Sequence, residues 1–195
     1  MMQMAFSSGN ESPHYNQDVE NTEFMTLALQ EAKKSPPKPS NFCVGAVLIS
    51  HNPSTSPPSN TVLSTGYTLE YEGNTHAEQC CFLKLSSVYS CTESNLGLHL
   101  PDLPEHVWLY TTMEPCNQRS VGNVPCVDRI LGLRRRDGRC AVEKVLVGVL
   151  EPGTFVGVNE GWRRLEEAGV EVVKVEGSGL VEEILSVAAA GHEKG

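Results

Sequence analysis

Residues 74–79 read NTHAEQ, and residues 112–131 read TMEPCNQRSVGNVPCVDRIL. Between them they supply one imidazole, His76, two thiols, Cys116 and Cys126, each directly after a proline, and one carboxylate, Glu78, two positions past the imidazole. A neutral imidazole and two thiolates suit Zn²⁺, which takes four protein ligands in structural sites but three and an open position in catalytic ones. No fourth cysteine or histidine stands at a convincing spacing, so the set predicts one zinc with an open position. Two thiolates balance the ion's charge, and a water in the open position is acidified toward neutrality. Glu78 is better placed to move protons there than to fill the fourth position.

The surrounding pattern predicts where these groups sit. Phe24, Leu27, Ala28 and Glu31 share one helical face, with Met25, Leu29 and Ala32 widening it, so a helix capped by Asn21 or Thr22 runs to about Lys34, where Pro36, Pro37 and Pro39 follow. Val44–Ser50 and Thr61–Gly66 read as a hairpin with a long Pro/Ser-rich tip at 51–60. A helix from His76 to Leu85 begins at the metal, 86–106 reads as a long loop, and Val107–Thr112 is the third strand. Pro125 suits the first turn of a helix reaching Leu133, since its missing N–H would lack a partner there anyway. The basic run Arg134-Arg135-Arg136 reads as a complement to that helix's C-terminal dipole. Lys144–Val149 and Val170–Val175 are strands, Gly161–Ala168 and Leu180–Ala190 helices. Apolar runs without alternation at 145–149 and 170–175 indicate strands buried on both faces. The expected fold is therefore α/β, a three-layer α-β-α sandwich around a five-stranded mixed sheet. Residues 1–18 read as a polar, flexible arm and 19–195 as one domain.

Composition narrows the function classes. The formal net charge is −9, against a non-specific nucleic-acid binder, which normally shows a basic face. No apolar stretch is long enough to span a bilayer, and no basic-then-apolar leader opens the chain. Seven cysteines without a leader point to free thiols in a reducing compartment, the cytoplasm. Cys80, Cys81, Cys91 and Cys140 read as small apolar core residues, and Cys43 lies beside the expected pocket.

From about residue 20 to 176 the chain resembles the cytidine deaminase superfamily, in its deoxycytidylate and riboflavin-pathway branch. The resemblance rests on NFCVGAV (41–47), NTHAEQ (74–79) and TMEPCNQRSVGNVPCVDRIL (112–131). The superfamily signature is H-x-E followed by P-C-x-x-C, with the Glu as general acid/base; here nine residues, not two, separate the cysteines. The phrasing is similar to that of the fungal riboflavin-pathway deaminases. That likeness implies a zinc-dependent hydrolase acting on a pyrimidine ribityl phosphate, 2,5-diamino-6-ribitylamino-4(3H)-pyrimidinone 5′-phosphate, at the C2 amine, with Glu78 as proton carrier. It also implies self-association, as a homodimer.

The same resemblance suggests substrate contacts. Asn41 matches a position that binds the base or the sugar-like arm, the alternative being a loop cap before the first strand. Asn74, Thr75 and Ala77 flank the histidine, and Thr75 could instead cap its helix. In the insert, Asn117, Arg119, Ser120 and Asn123 are candidates for the polyol phosphate, with Arg119 the natural partner of the phosphate or else a solvated surface arginine. Glu114 reads as a supporting or helix-terminus group. Competing readings are a deoxycytidylate or cytidine deaminase, a tRNA adenosine deaminase and a catalytically silent partner subunit. The acidic charge and the long insert count against the tRNA enzymes, and the presence of Glu78 counts against a silent subunit.

Overall fold

The structure is a computed structural model describing residues 17–151, 160–176 and 179–192. The expected arm at 1–18 falls outside the described residues except for Gln17 and Asp18. Five strands, β1 (Gly45–Asn52), β2 (Ser59–Tyr67), β3 (His106–Met113), β4 (Val142–Val149) and β5 (Glu171–Lys174), form one sheet in the order β2-β1-β3-β4-β5. β1 runs antiparallel to both β2 and β3, while β3, β4 and β5 are parallel. Helices α1 (Gln17–Ala32) and α5 (Leu180–Ala188) cover one face, and α2 (Ala77–Val88), α3 (Cys126–Gly132) and α4 (Gly161–Glu167) the other. This is the three-layer mixed-sheet sandwich expected from the sequence.

The reason lies in the two-residue period of a strand. Along β1, Val47 and Ile49 pack against Met25, Ala28 and Leu29 of α1, whereas Ala46 and Leu48 pack against Ala77, Cys81 and Phe82 of α2. Both faces are covered, so β1 is apolar without alternation from Gly45 to Ile49. Cys80, Cys81 and Cys140 are buried, as expected of small apolar residues, and all seven cysteines are free thiols.

Several boundaries differ from expectation. α1 begins at Gln17, before the expected cap. Thr22 does not cap it: its hydroxyl donates back to the Asp18 carbonyl at 2.8 Å, and Asn21 Oδ1 accepts from the Tyr110 hydroxyl at 2.9 Å. The hairpin strands extend to Asn52 and from Ser59, shortening the expected tip. Within 86–106 a 3-10 segment, Glu93–Leu98, buries Leu96. The basic run is not a helix-dipole complement. Arg135 is buried, donating to the Pro101 carbonyl, to the Ala141 carbonyl at 3.2 Å and to Glu143 at 3.2 Å, so it ties this loop to β4.

One glycine places the site. At Gly66 an added Cβ would lie 2.3 Å from the Ala77 carbonyl oxygen and 2.9 Å from Cys80 Cβ and the Cys81 nitrogen. Only hydrogen lets the first turn of α2 lie against β2. Gly66→Ala is expected to cost about 1–3 kcal/mol, the usual range for forced overpacking, and to weaken zinc retention by shifting His76. Thermal unfolding and metal analysis check this; a variant as stable as the parent would show that α2 retreats freely.

Candidate active site

β3 and β4 are parallel, and the loops leaving their C-terminal ends form the rim where open α/β sheets bind ligands. Glu114, Pro115 and Cys116 directly follow β3. His76 is the N-cap residue of α2, with extended backbone (φ −97°, ψ 159°), and its side chain makes no capping bond, leaving the imidazole for other work. Glu78 stands in the first turn of α2. Pro125 is the N-cap of α3 and Cys126 its first helical residue. Three separate elements thus deliver three candidate metal ligands.

The donor atoms of His76, Cys116 and Cys126 lie within 4.8 Å of one another. Both sulfurs stand 3.4 Å from His76 Nδ1. Zn–S bonds of about 2.3 Å and Zn–N bonds of about 2.05 Å at tetrahedral angles imply an S···N separation of about 3.6 Å, so the cluster fits a zinc ion. It is the one such cluster found among the described residues.

The electrostatics agree with that donor set. The Cys116 thiol is held well below its usual range, chiefly by the hydrogen bond with Cys126 and then by His76 and the Cys126 backbone N–H, while burial opposes. Cys126 is pushed up by that shared hydrogen bond with Cys116 and by burial. A divalent cation is what lets both ionise together. Glu78 is buried, and burial raises its pKa, with the neighbouring His76 opposing. Its Oε1 is 3.3 Å from the Thr111 hydroxyl, and its Oε2 accepts from Cys126 Sγ at 3.3 Å.

His76, Glu78 and Cys116 open onto a cavity of about 210 Å³, while Cys126 lies behind them. Of the other sequence candidates, Asn41, Asn74, Arg119 and Ser120 line this cavity; Thr75, Ala77, Asn117 and Asn123 do not. Each of those four has another place. Thr75 bonds through its hydroxyl to the Tyr71 carbonyl at 3.2 Å and to the Tyr71 N–H at 3.4 Å, closing the loop before α2 rather than capping the helix. Ala77 is fully buried in the core beside Gly66. Asn117 accepts from Arg164 Nη1 at 2.5 Å. Asn123 donates to Ser120 Oγ at 3.1 Å within the insert.

Arg119 is drawn inward. Its guanidinium donates to the Asn74 carbonyl, to Gln79 Oε1 at 3.2 Å and to the Val124 carbonyl at 3.4 Å, and its buried Nε has no partner among the described residues. It is the only lysine or arginine among the lining residues. Asn41 also presents a buried, unpartnered Oδ1.

Sequence reasoning missed Thr111 and Glu151. Glu151 lines the cavity just past β4, and burial, then the charges of Cys116, Glu78 and Glu114, push it up to about 7, with His76 opposing. Its signal was its place, a carboxylate at the C-terminal end of a parallel strand. Glu114 is also buried, and its carboxylate accepts backbone N–H bonds from Glu151, at 3.4 Å, and Trp162. It therefore joins the ends of β3 and β4 to the start of α4.

Residues 18–141 match the family described as the cytidine and deoxycytidylate deaminase zinc-binding region. A diaminohydroxyphosphoribosylamino-pyrimidine deaminase of Schizosaccharomyces pombe is 36% identical over 152 residues, 78% of this chain; the match spans 31% of that relative, about a third of its length. Among solved structures, the Rib2 deaminase of Aspergillus oryzae (a C-terminal deletion mutant, pH 4.6) is 44% identical, with a TM-score of 0.81 over 89% of this chain and 93% of that one. The same deaminase in complex with DARIPP gives 43% identity and a TM-score of 0.79, covering 89% and 92%. A two-function deaminase/reductase of Thermotoga maritima shares the fold at 21% identity, with a TM-score of 0.63 over 90% of this chain and 41% of that one.

Proposed function

The chain belongs to the cytidine and deoxycytidylate deaminase zinc-binding family, and from that premise we propose that it deaminates 2,5-diamino-6-ribitylamino-4(3H)-pyrimidinone 5′-phosphate to 5-amino-6-ribitylaminouracil 5′-phosphate, a step of riboflavin biosynthesis. The observation that carries this reading is an open His76–Cys116–Cys126 cluster with Glu78 beside it, in a chain that aligns over most of its length with a Rib2 deaminase solved with DARIPP. The S. pombe relative's name carries a phosphoribosylamino arm where the proposed substrate carries a ribityl one. The diaminopyrimidine end and the phosphate are common to both.

His76, Cys116 and Cys126 hold the zinc. When bound, the ion supplies Lewis acidity that brings a water molecule's pKa toward neutrality. Glu78 accepts the water's proton and passes it to the ring nitrogen beside C2. Oxygen bonds to C2; Glu78 then takes the remaining proton from the C2 hydroxyl and passes it to the amine, the C2 carbonyl forms as the C2–N bond breaks with its electron pair going to nitrogen, and ammonia leaves. The raised pKa of the buried Glu78 suits a group that must hold a proton in mid-cycle. Thr111 steadies its Oε1. Asn41, with its free Oδ1, binds an N–H or hydroxyl of the substrate, and Asn74 and Ser120 line the path of the arm. Turnover in heavy-oxygen water tests the step: one labelled oxygen at C2 of the product is expected, and an unlabelled product would exclude hydrolysis.

We assign the phosphate to Arg119, the lone cationic chain on a cavity that also holds Glu78, Glu114 and Glu151. The arginine already donates to three protein acceptors, which hold it at the cavity wall. Arg119→Ala is expected to raise KM for the phosphorylated substrate roughly ten- to hundredfold, the worth of a charge-assisted hydrogen bond, and far less for a dephosphorylated analogue. Equal losses on both, measured by steady-state kinetics, would show that Arg119 only braces the insert.

We further read the protein as a cytoplasmic homodimer that does not use nucleic acid. The net charge of −9 counts against nucleic acid and the seven free cysteines suit a reducing compartment, while the homodimer rests on the family resemblance alone. No helix among the described residues is long and apolar enough to cross a membrane.

A further inference from the structure

Asn41 sits in the loop between α1 and β1, where a carboxamide can be aimed only if the backbone beneath it is held. The loop's own bonds are few: Asn41 N–H donates to the Lys38 carbonyl at 3.3 Å, and Asn41 Nδ2 reaches only the neighbouring Phe42 carbonyl at 3.4 Å. Toward β1 the loop is held by Ser35 Oγ on the Val44 carbonyl at 3.3 Å and by the Val44 N–H on Thr68 Oγ1 at 3.1 Å, and the Asn41–Phe42 stretch is held as well from the far end of the chain. His192 Nε2 lies 3.1 Å from the Asn41 carbonyl, so it is the protonated, donating nitrogen of that ring. The His192 ring packs on Phe42 with centroids 4.7 Å apart and planes tilted by 55°. The Cys43 N–H donates to the Ala188 carbonyl at 3.0 Å. Gly191 meets the Lys38 peptide so closely that an added Cβ would lie 2.3 Å from its nitrogen and 2.5 Å from its oxygen. α5 itself docks through Ile184 and Ala188, and Gly191 and His192 lie beyond its last turn.

We propose that the segment after α5, through Gly191 and His192, is a positioning element for substrate: it fixes the Asn41–Phe42 backbone so that the Asn41 carboxamide faces the cavity. His192 touches no reacting atom and acts through Asn41. The inference rests on Asn41 being a substrate contact.

The test uses the full, zinc-loaded chain and the diaminopyrimidinone ribityl phosphate, with kcat and KM measured separately for Asn41→Ala, His192→Ala, His192→Phe, His192→Gln and the Asn41→Ala/His192→Ala double variant. His192→Phe keeps a ring on Phe42 but loses the donor, and it gives the same answer if His192→Ala folds poorly. His192→Gln offers an amide N–H to the same carbonyl. Expected is a KM rise of about two- to tenfold for His192→Ala and His192→Phe, the worth of one neutral hydrogen bond, with kcat and zinc content unchanged and KM recovered in His192→Gln. The double variant should be no worse than Asn41→Ala alone, because both changes remove one interaction. If Asn41→Ala raises KM but the His192 changes do not, or if the two effects multiply, the positioning role is overturned. If Asn41→Ala leaves KM unchanged, the Asn41 contact itself falls and this inference with it.

Discussion

Glu78→Gln is expected to lose about 10²- to 10⁴-fold in kcat, the usual worth of a positioned acid/base group, while the fold and the zinc stay in place. The substitution is nearly isosteric, and a glutamine oxygen can still accept from Thr111, whose hydroxyl lies 3.3 Å from Glu78 Oε1. What is lost is the ability to take up and release a proton, which the reaction needs more than once per turnover. Glu78 is buried in the first turn of α2 and opens onto the cavity beside the donor cluster, and its Oε2 accepts from Cys126 Sγ of that cluster. Circular dichroism, zinc content and single-turnover rates separate the possibilities. Activity within about tenfold of the parent would remove Glu78 from the proton path.

Cys126→Ala is expected to reduce bound zinc from close to one per chain to almost none, and to abolish turnover. Cys126 is one of three donors in a cluster with no fourth among the described residues, so a two-ligand remnant cannot close a tetrahedral site. The readout need not involve activity. Ligand that binds only the native state stabilises it, so a chelator should lower the Tm of the parent and leave that of Cys126→Ala unchanged. Full zinc retention in the variant would refute the ligand assignment.

The cluster of donor groups and the sheet were legible in the sequence because both are local signals. A Pro-Cys pair on either side of one loop and His-Ala-Glu before an apolar helix carry their chemistry in the spacing. The unalternating apolar run at 145–149 likewise announces burial on both faces, and all five residues are buried in β4. What stayed hidden depends on partners far along the chain. Asn117 belongs to Arg164 of α4, and Thr75 to the turn at Tyr71, so neither faces the cavity although both stand beside residues that do. Arg135 looks like surface charge in a triple-arginine run, yet carbonyls of Pro101 and Ala141, brought together only by the fold, draw it into the interior. Glu151 carries no motif at all; only the meeting of the β3 and β4 ends gives it a place beside the thiolates.

The central claim is that this zinc site serves the diaminopyrimidinone of riboflavin synthesis and not a cytosine nucleotide. The most direct measurement is ammonia release by the zinc-loaded protein, with kcat/KM compared for the ribitylamino-pyrimidinone phosphate, its phosphoribosylamino counterpart and dCMP. The account predicts rapid release from the ribitylamino compound, less from the counterpart and almost none from dCMP. Preference for dCMP, or equal rates on all three, would contradict it.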